Sequence, residues 1–219
     1  RLWDTESGAL RQQLLAKRGI STLACSADGG WMFTGGPLVP PSLDAVGRRG
    51  GILFSSIDAQ GQPINTTAVA LDAVGEFAAF INTDGTVELE HLELERLGGS
   101  HRWAGSDAAI AVAFDASRHY LAILRQHSLA VVDLGWPLFI KKATAPLPAS
   151  ATAALAFSPS GRFLVIGSEH GWELRLASDL RVVAGQEGEN ITAVAFSPDG
   201  CLLACGNDRG VVHVFKCQP

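Results

Sequence analysis

The residue types that most often carry catalysis or bind metals are present in this chain, but they are scattered. Histidine is a common general base and metal ligand, and six occur, at positions 91, 101, 119, 127, 170 and 213. None of them belongs to an HExxH or comparable ligand spacing. Glu88, Glu90, Glu93 and Glu95 lie close together, yet their alternation is typical of the solvated side of a strand. We therefore expect no catalytic residue, no metal site and no enzymatic activity.

The cysteines and glycines also indicate no cofactor chemistry. Cys25, Cys201, Cys205 and Cys217 show no CxxC spacing, and the first three lie in apolar runs. We expect buried, reduced thiols rather than a zinc site or a disulfide framework. No GxSxG, Walker-type or GxGxxG motif occurs, so no bound cofactor is predicted.

Composition and charge limit the classes of partner. Of the 219 residues, 47% are apolar and 18% charged, which is typical of a globular domain. The net charge is -5 and the chain has no basic block, so we expect no direct nucleic-acid binding. Charged or small residues interrupt every apolar run before it reaches the roughly 18 to 20 residues that span a bilayer. No membrane insertion is expected.

The elements that must position any site are organised as an internal repeat. Five apolar segments end in a turn and align without gaps, with anchor residues that are 46, 43, 43 and 39 residues apart. This period is that of a four-stranded propeller blade. The anchors are Cys25, Leu71, Phe114, Phe157 and Phe196. We expect the three phenylalanines to fill equivalent sites between blade faces.

Each repeat also contains further apolar runs that read as strands. Six residues after the anchors stand Trp31, Phe77, Tyr120, Phe163 and Leu202, each opening a second strand. Third strands are expected at 52–54, 86–89, 129–132, 172–176 and 211–215. Shorter, more polar fourth strands are expected at 137–140 and 180–183.

Several segments resemble the WD-repeat (Trp-Asp) β-propeller family. These are AVAFSPDG at 193–200, ALAFSPSG at 154–161, the Trp3-Asp4 pair and the turn TDGT at 83–86. The chain has one Trp-Asp pair and no Gly-His dipeptide, and Glu90 stands where the family often has its tryptophan. The resemblance implies an all-β, WD-repeat β-propeller that is seven-bladed when complete.

Counted in this way, the chain is a single propeller domain over 1–219 with four full and two partial blades. The blades are expected at about 1–16 (partial), 20–65, 66–108, 109–150, 151–190 and 191–219 (partial). We expect the chain to be the C-terminal three-quarters of a ring that lacks its N-terminal part. A piece of a longer protein with further domains is the alternative.

In this topology the loops between second and third strands share one face with the connections between blades. Function is first sought there. The longest such loop is expected at 36–50, where prolines precede Arg48 and Arg49. The expected partner-binding residues are Arg48, Arg49, Asp84, Arg102, Trp103, His127, His170, Trp172 and Arg209.

The resemblance implies a non-enzymatic scaffold for protein–protein interaction, or a subunit of a multiprotein complex, with proteins or peptides as partners. We expect an intracellular, cytoplasmic protein. One alternative is a ligand-binding or catalytic propeller with a site in the central channel, although the inner strands offer Ala, Val, Leu and Phe. A second alternative is a short-peptide recognition module that uses Asp84 and Trp172.

Overall fold

The computed structural model describes the main chain of residues 2–4, 6–12, 20–26, 31–36, 39–45, 51–53, 66–73, 75–91, 101–104, 107–117, 119–135, 139–147 and 151–217. Side chains are described for the same residues except 2, 11–12, 39–45 and 51–53. Within these ranges the regular structure consists of strands, and no helix occurs.

The described residues form six antiparallel sheets. A hairpin of β1 (Leu2–Trp3) and β2 (Leu10–Gln12) comes first. The first four-stranded sheet contains β3 (Thr22–Cys25), β4 (Trp31–Gly36), β5 (Val39–Ala45) and β6 (Gly51–Leu53). The second contains β7 (Thr66–Leu71), β8 (Phe77–Asn82), β9 (Val87–His91) and β10 (His101–Trp103).

The later sheets repeat this plan. The third four-stranded sheet contains β11 (Ala109–Phe114), β12 (Tyr120–Arg125), β13 (Ser128–Asp133) and β14 (Ile140–Pro146). The fourth contains β15 (Ala151–Phe157), β16 (Phe163–Ser168), β17 (Gly171–Leu176) and β18 (Val182–Glu187). The last sheet contains β19 (Ile191–Phe196), β20 (Leu202–Asn207) and β21 (Val212–Lys216).

The sheets stand side by side like blades. In each of them, strands that are consecutive in the chain are also neighbours in the sheet. The first strands β3, β7, β11, β15 and β19 pack against one another in chain order, so they form the inner wall of an arc. This arrangement confirms the all-β propeller fold class predicted from the repeat.

The core lies between successive sheets. Leu89 of one sheet and Leu121 of the next belong to one buried cluster, and Leu129 and Leu164 belong to the following one. All four side chains are at most 1% exposed. The second, third and fourth four-stranded sheets therefore bury both of their faces by contact with their neighbours, as expected for a repeat whose units cannot bury their apolar faces alone.

A shared hydrogen bond closes the turn between the first and second strands of each of the last five sheets. The residue after the anchor is Ser or Asp, and its side-chain oxygen accepts the main-chain N–H of the residue that opens the second strand, at 2.8–3.1 Å. Its own N–H donates to the carbonyl of that same residue. The pairs are Ser26–Trp31, Asp72–Phe77, Asp115–Tyr120, Ser158–Phe163 and Ser197–Leu202.

These turns explain why polar residues end apolar strands. Ser26, Asp72, Asp115 and Ser158 are at most 6% exposed, and burial is tolerated because a main-chain N–H donates to one side-chain oxygen of each. In three of the turns a glycine supplies the left-handed conformation, with φ of 75° at Gly75, 68° at Gly161 and 72° at Gly200. The polar residue, the glycine and the large apolar residue thus form one structural unit.

The sequence prediction is wrong for the third strand of the first four-stranded sheet. The segment expected to be a long loop contains β5, and the run at 52–54, expected to be the third strand, overlaps the fourth strand β6. Prolines cannot donate to a ladder, which made Pro40 and Pro41 indicate a loop. In the structure the register shifts at this point, so that the β4–β5 ladder passes over both prolines in a bulge.

Two fourth strands also begin later in the chain than expected. β14 begins at Ile140 and β18 at Val182, where 137–140 and 180–183 were predicted. Leu180 belongs instead to the preceding turn, where it is buried with a φ of 61°. Outer strands exposed to water show weak apolar patterning, so their limits are poorly marked in sequence.

We predict that Ser158→Ala lowers the free energy of unfolding by about 1–3 kcal/mol, because the Phe163 N–H loses its acceptor in a partly buried site. The measurement is urea denaturation of the full chain. Ser178→Ala removes an exposed hydroxyl from another turn of the same sheet and is the matched control, expected to change stability by less than about 0.5 kcal/mol. Equal effects of the two substitutions would show that the turn hydrogen bond is unimportant.

Candidate functional site

Main-chain hydrogen bonds hold the turns between second and third strands together with the connections between sheets. The N–H groups of Ala109, which begins β11, and of Leu147 and Gly188, which lie in connections, donate to the carbonyls of Gly85, His127 and His170 in turns, at 2.8–3.1 Å. In the last sheet Asp208 donates from its turn to Asn190. We call this side of the sheets, with turns 83–86, 126–127, 169–170 and 208–211, the upper edge. The opposite side, with turns 72–76, 115–119, 158–162 and 197–201, is the lower edge.

Asp84 and Arg102, predicted separately, meet at the upper edge. The Arg102 guanidinium donates to the Asp84 carboxylate at 2.7 Å and to the Thr86 hydroxyl at 3.1 Å. Although partial desolvation raises the pKa of Asp84, hydrogen bonds from Thr86 and the Arg102 charge hold that pKa below its ordinary value of 3.8. Both side chains remain about 40–45% exposed, so the pair is accessible from solvent.

The predicted residues in the other turns point into solvent. His127, His170 and Arg209 are exposed. The main chain of each is held in place, because their N–H groups donate to Asp107, Ser168 and Asn207, respectively. Each turn therefore presents a charged or imidazole side chain from a fixed backbone.

The two predicted tryptophans are half-buried. The Trp103 ring lies 4.4 Å from the His101 ring and 6.1 Å from that of Phe139, and it packs against the core between two sheets. Trp172 lies 5.1 Å from Phe215 of the next sheet. Its buried indole N–H has no hydrogen-bond acceptor among the described residues. Both rings therefore support the packing between sheets beside the upper edge.

Sequence reasoning missed a polar group at the upper edge of the last sheet. The Glu189 carboxylate accepts the Asn207 amide N–H at 2.8 Å and lies 3.1 Å from Nε2 of His213. The Asn207 hydrogen bond lowers the pKa of Glu189, and His213 and Arg209 lower it further against a desolvation effect. Together with Trp172 and Phe215, Glu189 and His213 line a cavity of about 20 Å³ between the sheets. No local motif marks residues that are 24 positions apart.

Arg48 and Arg49 lie outside the described residues. They belong to the segment that joins β5 to β6, and not to a connection between second and third strands. β5 ends at Ala45, which pairs with Trp31 at the lower edge of this sheet. The described residues do not test whether Arg48 and Arg49 bind a partner, so this stays a prediction.

The anchor side chains line a central cavity of about 450 Å³ that opens towards the lower edge. Leu71, Phe114, Phe157 and Phe196 contribute its apolar wall. These residues are half-buried, so the phenylalanines pack between sheets and also face the cavity. The polar groups at this wall include Asp115, Ser158 and Ser197, whose oxygens already accept hydrogen bonds within their turns.

The cysteines are more accessible than predicted. Cys25 and Cys201 are exposed and Cys217 is partly exposed, while Cys205 is buried. An apolar run on a sheet face becomes buried only where another sheet covers it, and the sequence does not show this.

Within the described ranges, no group of three or more His, Cys, Asp or Glu residues is arranged to hold a metal ion. No helix in the same ranges is long and apolar enough to span a membrane.

The carboxylate cluster on β9 is not the solvated face that was predicted. Glu88 is 6% exposed and Glu90 is half-buried, while Glu93 and Glu95 lie outside the described residues. The Asn82 amide donates to Glu88 at 3.1 Å, and the Arg102 guanidinium lies 3.5 Å from the Glu88 carboxylate.

Burial raises the pKa of Glu90 to about 7, with a further contribution from Glu88. In register, Glu88 and Glu90 pair with Phe80 and Ala78, whose face of the sheet is covered by the preceding sheet.

Comparison with known proteins gives one family match. Residues 178–216 match the family described as "WD domain, G-beta repeat". This range runs from the last turn of the fourth four-stranded sheet to the end of β21. No curated protein matches the chain.

We predict that stability falls as pH rises from about 4.5 to 7, because the folded chain binds a proton at Glu90 that the unfolded chain releases at its ordinary pKa of 4.5. Glu90→Gln keeps the uncharged form and should remove this loss. The measurement is denaturant unfolding at pH 5 and pH 8. The exposed Glu169→Gln serves as control and should leave the pH dependence as it is in the unsubstituted chain. The same pH dependence in the Glu90→Gln variant would contradict the assignment.

Proposed function

We propose that this chain is a WD-repeat β-propeller and a non-enzymatic scaffold that binds other proteins or peptides at its upper edge. The family supports an interaction module in general. The more specific proposal is that the chain is a subunit of a multiprotein complex and that the side chains on this edge select its partner.

One observation carries the proposal. Four consecutive sheets present Asp84, His127, His170 and Arg209 from turns along a single edge. Main-chain hydrogen bonds hold these turns, so little conformational entropy is lost when a partner contacts them. A rigid backbone with exposed polar side chains suits recognition of a protein surface.

The junction between the last two sheets adds features of a contact site. The half-buried Trp172 ring, which lies 5.1 Å from Phe215, offers the aromatic area that interface anchors use. Exposed Glu169 and Glu187 lie on the same edge as Arg209. A partner segment with both apolar and charged groups matches this junction best.

The central cavity favours neither catalysis nor a polar ligand. Its wall is formed mainly by apolar side chains, and the oxygens of Asp115, Ser158 and Ser197 are engaged in their turns. A general acid or base must be able to exchange a proton with its substrate, and groups that stabilise turns serve this purpose poorly.

We also propose an intracellular, cytoplasmic location, since four free thiols suit a reducing compartment.

The test is quantitative affinity purification of the tagged protein, with bound proteins measured by mass spectrometry. His170→Ala combined with Arg209→Ala should reduce a specific partner at least about fivefold, corresponding to about 1 kcal/mol of binding free energy. The melting temperature should change little because both side chains are exposed.

The matched control replaces two exposed arginines at the lower edge, Arg162→Ala with Arg181→Ala. This variant should retain the partner. The proposal is wrong if the lower-edge variant loses the partner while the upper-edge variant keeps it, or if both variants bind as strongly as the unsubstituted protein.

A further inference from the structure

Two cysteines lie opposite each other at the lower edge of the last sheet. The β20–β21 ladder pairs Leu202 with Lys216. One step further, the N–H of Cys217 donates to the carbonyl of Cys201 at 2.8 Å. Cys201 and Cys217 are therefore cross-strand neighbours, although sixteen positions separate them in sequence.

Their side chains are on the same face of the sheet. Leu203 pairs with Phe215, and both belong to the core cluster between the last two sheets. Since side chains alternate along a strand, Cys201 and Cys217, each two residues further along, share that face. Directly opposed residues of antiparallel strands have Cα atoms about 4.5–5.5 Å apart, within the range of about 4.4–6.8 Å that a disulfide spans.

The electrostatics of the site agree with this proximity. The pKa of Cys201 is raised by the Asp199 carboxylate, then by desolvation and by a hydrogen bond to Asp199, and in addition by the Cys217 thiol. The Cys217 thiol also contributes to the raised pKa of Cys205, although burial is the main cause there. Cys217 is thus electrostatically coupled to both of the other cysteines in this sheet.

Accessibility distinguishes the two possible pairs. Cys201 is exposed and Cys217 partly exposed, so a soluble oxidant reaches both. Cys205 is buried, and burial raises the pKa of its thiol to about 11. In register Cys205 lies opposite His213, four residues from Cys217 along β21. The accessible and directly opposed pair is Cys201–Cys217.

We propose that Cys201 and Cys217 are an oxidation site that forms a reversible disulfide between β20 and the end of β21. With hydrogen peroxide as oxidant, the Cys217 thiolate attacks one peroxide oxygen and the O–O bond breaks. Cys217 becomes a sulfenic acid, and the hydroxide released takes up the thiol proton to form water. The Cys201 sulfur then attacks the sulfenic sulfur, the S–S bond forms, and a second water leaves with the Cys201 proton.

The order of the two steps follows from the local charges. Asp199 disfavours a thiolate at Cys201, so the first attack is assigned to Cys217. Two glutathione thiols reverse the reaction by exchange, giving two protein thiols and one glutathione disulfide. Reversibility fits a thiol pair that serves as a sensor in a reducing compartment.

The disulfide would act on the least supported strand of the last sheet. β21 pairs with β20 on one side, and no described strand pairs with its other side. Val212 and Val214 of β21 are 64% and 61% exposed. A bond near the end of β21 closes a loop of about 15 residues and restricts the opened ensemble of this strand.

The experiment oxidises the full chain with hydrogen peroxide, blocks remaining thiols with N-ethylmaleimide and maps peptides without reduction. We expect one linked pair containing Cys201 and Cys217, lighter by two hydrogens than the separate peptides. Glutathione should abolish the link. The oxidised chain should melt about 5–10 °C higher than the reduced chain.

The variants make the result decisive. Cys217→Ser should lose both the link and the shift in melting temperature, while Cys25→Ser, which removes an exposed cysteine from another sheet, should keep both. Equal melting temperatures of the reduced variants and the reduced unsubstituted chain show that folding is intact. A Cys205–Cys217 link, intermolecular dimers only, or sulfenic and sulfinic acids without a link would overturn the proposal.

Discussion

The structure depends on one hydrogen bond that is repeated five times. At the end of each first strand from β3 onwards, a Ser or Asp oxygen accepts the N–H of the residue that begins the second strand. This bond closes the turn between the first and second strands and thereby sets the register of these two strands. Register is decisive in a sheet, because a shift of one residue would move every apolar side chain to the opposite face. The core between sheets therefore depends on polar atoms that lie at its margin.

The same constraint separates the two edges. At the lower edge, the polar side chains are used inside their turns, so the central cavity is left with a mainly apolar wall. At the upper edge, main-chain groups tie the turns to the connections between sheets, and side chains such as His170 and Arg209 remain available. The candidate interface follows from this division, since only groups that the fold does not use can recognise a partner.

The departures from the family pattern have local consequences. Glu90 occupies the position at which the family often has a tryptophan, and its sheet contains a network in which Asn82 and Arg102 contact Glu88. Side-chain contacts thus link the strands of this sheet, and they involve the charged groups of Glu88 and Arg102. Burial raises the pKa of the half-buried Glu90 carboxylate to about 7, which makes this sheet sensitive to pH.

The sequence by itself determined the repeat, the all-β class and the positions of most first, second and third strands, because apolar alternation and turn residues are local signals. It also marked Asp84 and Arg102 as candidate partner-binding residues, though not their contact with each other, since partners 18 residues apart carry no local mark. The tertiary structure decided the rest. Pro40 and Pro41 are accommodated in a strand by a bulge, and the burial of each face depends on the neighbouring sheet. Glu189 meets His213, and Cys201 meets Cys217, only because pairing brings distant residues together.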